Sequence, residues 1–204
     1  MRMNRIVLHA GWLAAVLFLA ALAGLGATLP GYSQSMLAVD VLGARGVPHA
    51  AAWNALGYAL PGLLVAVFAV ALQRPLAMAG VGATGRIGGW LLMFSGLAFA
   101  AQGLLPLDLR LLDGADSKAH VAAAMLSLVA WLPSALLLPL ALRGRPAWRV
   151  AVVAGPLLAA AAIACIALPP QAWEAIGAGP GFAQRLGLCA QFAWPALAAF
   201  CALR

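Results

Sequence analysis

Six apolar stretches recur along this chain, each near the roughly 20 residues that an α-helix needs to cross a bilayer. They lie near residues 6–28, 50–73, 87–106, 119–142, 150–168 and 184–203. Of the 204 residues, 65% are hydrophobic and 8% charged. A soluble domain carries roughly 25% charged residues, so this chain has lipid as its solvent. The runs are rich in Leu and Ala and show no apolar–polar alternation, which argues against strands. The expectation is an all-α fold, a polytopic bundle of six transmembrane helices forming one integral domain over residues 1–204.

The first 27 residues imitate a secretory signal, with Arg2 and Arg5 ahead of an apolar run. That run, Ile6 to Thr28, is longer than a signal's apolar segment and lacks a cleavage site before Pro30. It reads as a retained first helix.

Orientation follows from Lys and Arg. One side collects eight of the twelve: Arg2, Arg5, Arg74, Arg86, Arg143, Arg145, Arg149 and Arg204. The other has Arg45, Arg110, Lys118 and Arg185. The first side is therefore expected to be cytoplasmic, with both termini inside. All five acids, Asp40, Asp108, Asp113, Asp116 and Glu174, then fall in the outward loops 29–49, 107–118 and 169–183. They took no part in the assignment. The net charge of +7 forms no dense patch, so topology explains it better than nucleic acid. The short basic loops 73–86 and 143–149 suit anionic headgroups but are too small for a separate site.

A weak repeat is visible. Odd helices leave through Leu29-Pro30, Leu105-Pro106 and Leu168-Pro169, and even helices carry Pro61, Pro133 and Pro195 shortly after Tyr58, Trp131 and Trp194. Three related hairpins would explain this, as would the general frequency of Pro in spanning helices.

Several motifs carry bland readings. Gly80-Val-Gly-Ala-Thr-Gly85 matches GxGxxG but lacks the strand a nucleotide site requires. Gly85 and Gly89 read instead as a GxxxG packing pair. Cys165, Cys189 and Cys201 lie in apolar runs without metal spacing and read as packing residues. Trp12, Trp53, Trp90, Trp148 and Trp173 read as interfacial anchors. Asn54, Gln102 and Gln191 need partners inside lipid and so face the bundle, as glue or cavity lining. A bis-His haem needs two imidazoles at one depth within helices. His9 is alone, and His49 and His120 lack that depth.

The segment Leu105 to His120 holds the densest chemistry: three carboxylates, one Arg, one Lys and one His within 13 residues. Asp116 or Ser117 can cap the fourth helix. Asp108 can orient the His120 ring, for acid–base work or simply as a structural tie. The first outward loop, with Tyr32, Ser33, Ser35, Asp40, Arg45 and His49, is long enough to fold over the helix ends. In the third, Arg185 opens the sixth helix and can hold a carboxylate or an anionic headgroup.

The order of Pro30-Gly-Tyr-Ser33, Val41-Leu-Gly43 with Pro48 and Asn54, Gly103-Leu-Leu-Pro-Leu-Asp108, His120, and Gln184-Arg185-Leu186 before Trp194 resembles a bacterial six-helix membrane family, domain-of-unknown-function family 998. The match spans nearly the whole chain. The family pattern usually has Ser where Asp40 stands and Glu where Gln184 stands, so a carboxylate beside Arg185 is missing here. The resemblance implies a six-helix bundle in the bacterial inner membrane with an outer polar cluster of Tyr32, Ser33, Asn54, Asp108, His120 and Arg185. It implies no established activity.

Three functions fit these residues. The first is binding or transport of a lipid or small amphiphile, its polar head held by Arg185 or His120. The second is an intramembrane enzyme acting on lipid, with Asp108 and His120 as catalytic candidates, acting directly or through a divalent metal held with Asp113 or Asp40. The third is a structural or assembly subunit without a site. No cofactor or committed metal set is identified. Membrane lipids are the expected partners, and homo-oligomers are compatible with the sequence.

Overall fold

The computed structural model describes residues 2–204, with side chains described from Arg5 onward. Its elements are α1 (Arg2–Leu8), α2 (Ala10–Thr28), a 3-10 turn (Val39–Gly43), α3 (Ala50–Trp53), a π turn (Asn54–Ala59), α4 (Leu60–Met78), α5 (Ala83–Gln102), α6 (Ala115–Ala141), a 3-10 turn (Pro146–Trp148), α7 (Arg149–Ala167), α8 (Pro170–Glu174) and α9 (Pro180–Leu203). No strand occurs among the described residues. Five helical runs are long and apolar enough to cross a membrane: Arg5–Thr28, Ala50–Met78, Ala115–Ala141, Pro146–Ala167 and Pro180–Leu203. The 20-residue α5 is less apolar, because Gly85, Gly88, Gly89 and Gly96 share it with Arg86, Ser95 and Gln102.

The long helices close a ring in chain order. Helix α2 meets α4, α4 meets α5, α5 meets α6, α6 meets α7, α7 meets α9, and α9 returns to α2. Aromatic rings fill the centre. Phe18 of α2 stacks on Phe192 of α9 at 4.5 Å, and Phe99 of α5 meets both edge-on. Tyr58, Trp131 and Trp194, each just ahead of a helix proline, are fully buried. Trp53 and Trp148 also lie in this core, so they are packing residues and not interfacial anchors. Trp90 remains exposed at 40%.

Element ends differ from the apolar pattern for local reasons. The second span runs past Gln73 to Met78, with Pro75 inside it. Helix α5 stops at Gln102 because Pro106 disfavours helical backbone just before it. Helix α9 begins at Pro180, a favoured first position because the missing N–H has no intrahelical partner to lose. Among the described residues, only the second span contains a π turn. Pro61 follows it, and widening the helix there relieves the clash of the proline ring with the preceding turn. Pro133 and Pro195 sit inside unbroken α-helix, so the three prolines do not act alike.

Small residues set the helix spacing. A Cβ on Gly62 of α4 would lie 2.5 Å from Ala100 N and 2.6 Å from Gly96 O of α5. Gly85 and Gly89 do not form one seam. A Cβ on Gly85 would meet Val81 and then Ala141 of α6, whereas one on Gly89 would meet Gln73 and Leu76 of α4. Gly62→Ala should lower thermal stability in detergent by about 1–3 kcal/mol, the usual cost of overpacking. Gly24→Ala, whose Cβ meets nothing within 4 Å, should leave the midpoint unchanged or slightly raised.

Candidate functional site

The loop between α2 and α3 folds over one end of the ring, and every neighbouring element ties it down. Phe182 N donates to Ser35 O at 2.9 Å, and Arg45 N donates to Leu107 O at 2.8 Å. Asn54 Nδ2 in the π turn donates to Gly43 O at 3.0 Å. Gly43 permits that approach, since a Cβ there would lie 2.7 Å from the Trp53 ring and would strike the Asn54 amide. Arg45 also pairs with Asp116 at 2.6 Å, both side chains being more than half exposed.

Asp40, at the loop's 3-10 turn, is the hub. Its Oδ1 accepts from Tyr58 Oη at 2.6 Å and its Oδ2 from Gln184 Nε2 at 2.9 Å. His120 Nε2 stands 3.6 Å from Oδ1, an ion-pair contact beyond hydrogen-bond length. Gln184 Oε1 in turn accepts from Val39 N at 2.7 Å, which fixes the amide's orientation. Burial alone would raise the Asp40 carboxyl's pKa. The nearby imidazole of His120 and the hydrogen bonds from Tyr58 and Gln184 together outweigh it and hold the pKa below its ordinary value.

The imidazole geometry fixes the tautomer of the ring. His120 is 2% exposed, and its Nδ1 lies 2.7 Å from Leu105 O. A carbonyl only accepts, so Nδ1 carries hydrogen. In a neutral ring Nε2 would then aim its lone pair at a carboxylate.

Arg185, 8% exposed, clasps the same loop. Its Nε donates to Gln34 Oε1 at 2.9 Å, and its Nη1 to Leu37 O at 2.8 Å and Gly181 O at 2.7 Å. Its Nη2 donates to the Tyr32 hydroxyl. The guanidinium also sits 5.4 Å from the centre of the Tyr32 ring, within cation–π range. Burial raises the Tyr32 hydroxyl's pKa by more than Arg185 lowers it.

Of the residues expected at this end, Tyr32 and Arg185 meet directly, and Asn54 and His120 meet the same loop. Ser33 does not join them, since its hydroxyl faces Ser35 Oγ and Met36 N. Asp108 is not the partner of His120. No hydrogen bond or ion pair joins the two; Asp108 Oδ1 accepts from Arg110 N, and its backbone is held by Ser117 Oγ. Neither Asp116 nor Ser117 caps α6, whose N-cap is Gly114 without a side-chain bond. His49 is exposed and left-handed at φ 61°, whereas His120 is buried. Among the described residues, no three His, Cys, Asp or Glu side chains converge as a metal set.

Sequence reasoning placed the site's hub elsewhere. Asp40, Tyr58, Gln34 and Gln184 complete it. Asp40 and Gln184, the two positions at which the resemblance implies other residues, are in direct contact.

Residues 12–201 match the family model described as "Protein of unknown function (DUF998)". The chain belongs to this family. No curated protein and no solved structure matches it. A second polar group lies deeper in the bundle, where Gln191 Nε2 donates to Ser127 Oγ at 2.7 Å and Ser95 Oγ lies 3.4 Å from Ser127 Oγ. It links α5, α6 and α9 as interhelical glue. Gln102 bonds only within its own helix, to Phe99 O.

Proposed function

We propose that this DUF998 protein is a six-span protein of the bacterial inner membrane that binds or transports a lipid or small amphiphile. Both termini are cytoplasmic, and the polar cluster faces outward. The loop over residues 29–49 is then a lid. One observation carries this reading. The buried cation Arg185 spends its donors on a loop carbonyl, an amide oxygen and a phenol of the lid, together with one carbonyl of its own helix. Those lid groups stand where an amphiphile's polar head would be held. Lifting the lid exposes Arg185, His120 and Gln184 at the end of an apolar bundle, a cationic and hydrogen-bonding set suited to a phosphate or carboxylate head.

The internal pairing of these groups also favours a second reading, a structural subunit in which the loop never opens. Amide hydrogen exchange distinguishes the two. Protein in nanodiscs is titrated with a phospholipid, a fatty acid or a quinone. On the binding reading, one of these ligands accelerates exchange over residues 32–46 and slows it at the start of α9. Unchanged exchange with all three, and no lipid retained beyond bulk detergent, would support the structural subunit. An acid–base enzyme built on Asp108 and His120 has no support in this geometry, since the two are not paired.

A further inference from the structure

The opposite end of the bundle holds a cavity of about 500 Å³. It lies where the second half of α1, the end of α4, the 3-10 turn Pro146–Trp148 and the end of α9 converge. Leu8, Trp148 and Cys201 form a buried apolar floor, and Arg5, Arg74 and Arg204 line it with exposed side chains. We infer that this cavity is a binding site for one anionic phospholipid, its phosphodiester held by Arg5 and Arg74 and the upper part of its acyl chain lying on the floor.

Three observations commit the site to that occupant. The first is charge. No acidic side chain lines the cavity, and none of the five Asp and Glu residues of the chain is near its rim. Among the described residues Arg74 and Arg204 have no acidic partner, and Arg5 makes one hydrogen bond, from Nη2 to Leu203 O at 2.7 Å, which leaves its remaining donors free. Two guanidinium groups around one opening match a phosphate through forked hydrogen bonds. The second is the floor, which suits hydrocarbon and gives a free phosphate ion nothing to bury. The third is depth. The cavity sits at the ends of the apolar helices, level with the headgroups of a bilayer, where basic pockets between helices take anionic lipid. The volume falls in the range of about 300–1,000 Å³ usual for small-molecule sites. The site is thus built by four separate chain segments and not by either short basic loop alone.

The inference is independent of whether the lid at the far end opens. Native mass spectrometry of the full chain, released from zwitterionic detergent, tests it with phosphatidylglycerol and phosphatidylcholine of identical acyl chains. The expected result is one saturable phosphatidylglycerol per chain and no competition by phosphatidylcholine. Arg5→Gln with Arg74→Gln should weaken binding about tenfold or more, the scale of a lost charge-assisted contact. Ala202→Trp, which fills the cavity while keeping every arginine, should weaken it similarly. Arg143→Gln, a basic residue that does not line the cavity, should leave it unchanged. Equal losses with Arg143→Gln would reduce the effect to general surface charge and overturn the site. So would wild-type affinity in the double variant, or equal binding of the two lipids.

Discussion

Asp40→Ala should destabilise the protein by about 3 kcal/mol or more, because it strands several buried groups at once. Tyr58 Oη and Gln184 Nε2 each lose their acceptor, and His120 loses its carboxylate. Asp40→Asn should fall between. Its amide keeps one acceptor for Tyr58 but turns an NH2 toward Gln184. Gln184 cannot flip to accept it, because its Oε1 is engaged by Val39 N. Asp40→Ser alone should resemble the Ala variant, and Gln184→Glu alone should place two carboxylates together and also destabilise. The double variant Asp40→Ser, Gln184→Glu should recover most of the loss, since it moves the carboxylate to the other side of the same contact. Thermal midpoints in one detergent, with exchange across residues 32–46, give the four corners of that cycle. A double variant no better than the sum of its parts would show that the two positions do not compensate.

The same carboxylate sets an acid limit on the loop. Its folded pKa is depressed, so its stabilising contribution is complete above the ordinary Asp value of about 3.9 and is lost as pH falls through the lower folded value. Loop exchange should therefore rise only below about pH 4, and the Asp40→Asn variant should lack that acid limb. An acid rise that persists unchanged in Asp40→Asn would assign it to another group.

How much of this was legible in the sequence depended on range. Helix existence was local: long Leu–Ala runs, with Pro106 at the exit of the third, although the last helix begins at Pro180 and not at 184. The polar end was legible as a region because all five acids fall in the connections between alternate apolar runs. Pairing within it was not, since the decisive contacts join Asp40 to His120 across 80 positions and to Gln184 across 144. Nearness in sequence favoured Asp108 as the partner of His120. Instead Asp108 bonds within its own loop, and Ser117 spends its hydroxyl there rather than capping α6. Composition likewise could not separate Trp53 from Trp90. Both lie near helix ends, but Trp53 covers Gly57, where a Cβ would come within 2.7 Å of its ring, and so turns inward. The basic cavity was invisible for the same reason: its arginines come from opposite ends of the chain.

Arg185→Lys should cost about 2–4 kcal/mol despite conserving charge, because three donors radiating from one atom cannot replace a planar fork. The guanidinium reaches Gln34, Leu37, Gly181 and Tyr32 in different directions. An ammonium can satisfy only some of these, and the remaining buried acceptors lose their partner. Arg45→Lys makes the contrast. That residue pairs with Asp116 in solvent, and an exposed ion pair contributes only about 0–1 kcal/mol. Tyr32→Phe should fall between the two. It removes the hydroxyl that accepts from Arg185 and donates to Ala38 O but keeps the ring against the guanidinium. Because Tyr32 and Arg185 share one network, their losses should be less than additive, and the deficit in the double variant measures the clasp itself. If Arg185→Lys proves no worse than Arg45→Lys, the clasp does not hold the loop. The loop's stability would then rest on Asp40 and on the loop's ties to Phe182, Leu107 and Asn54.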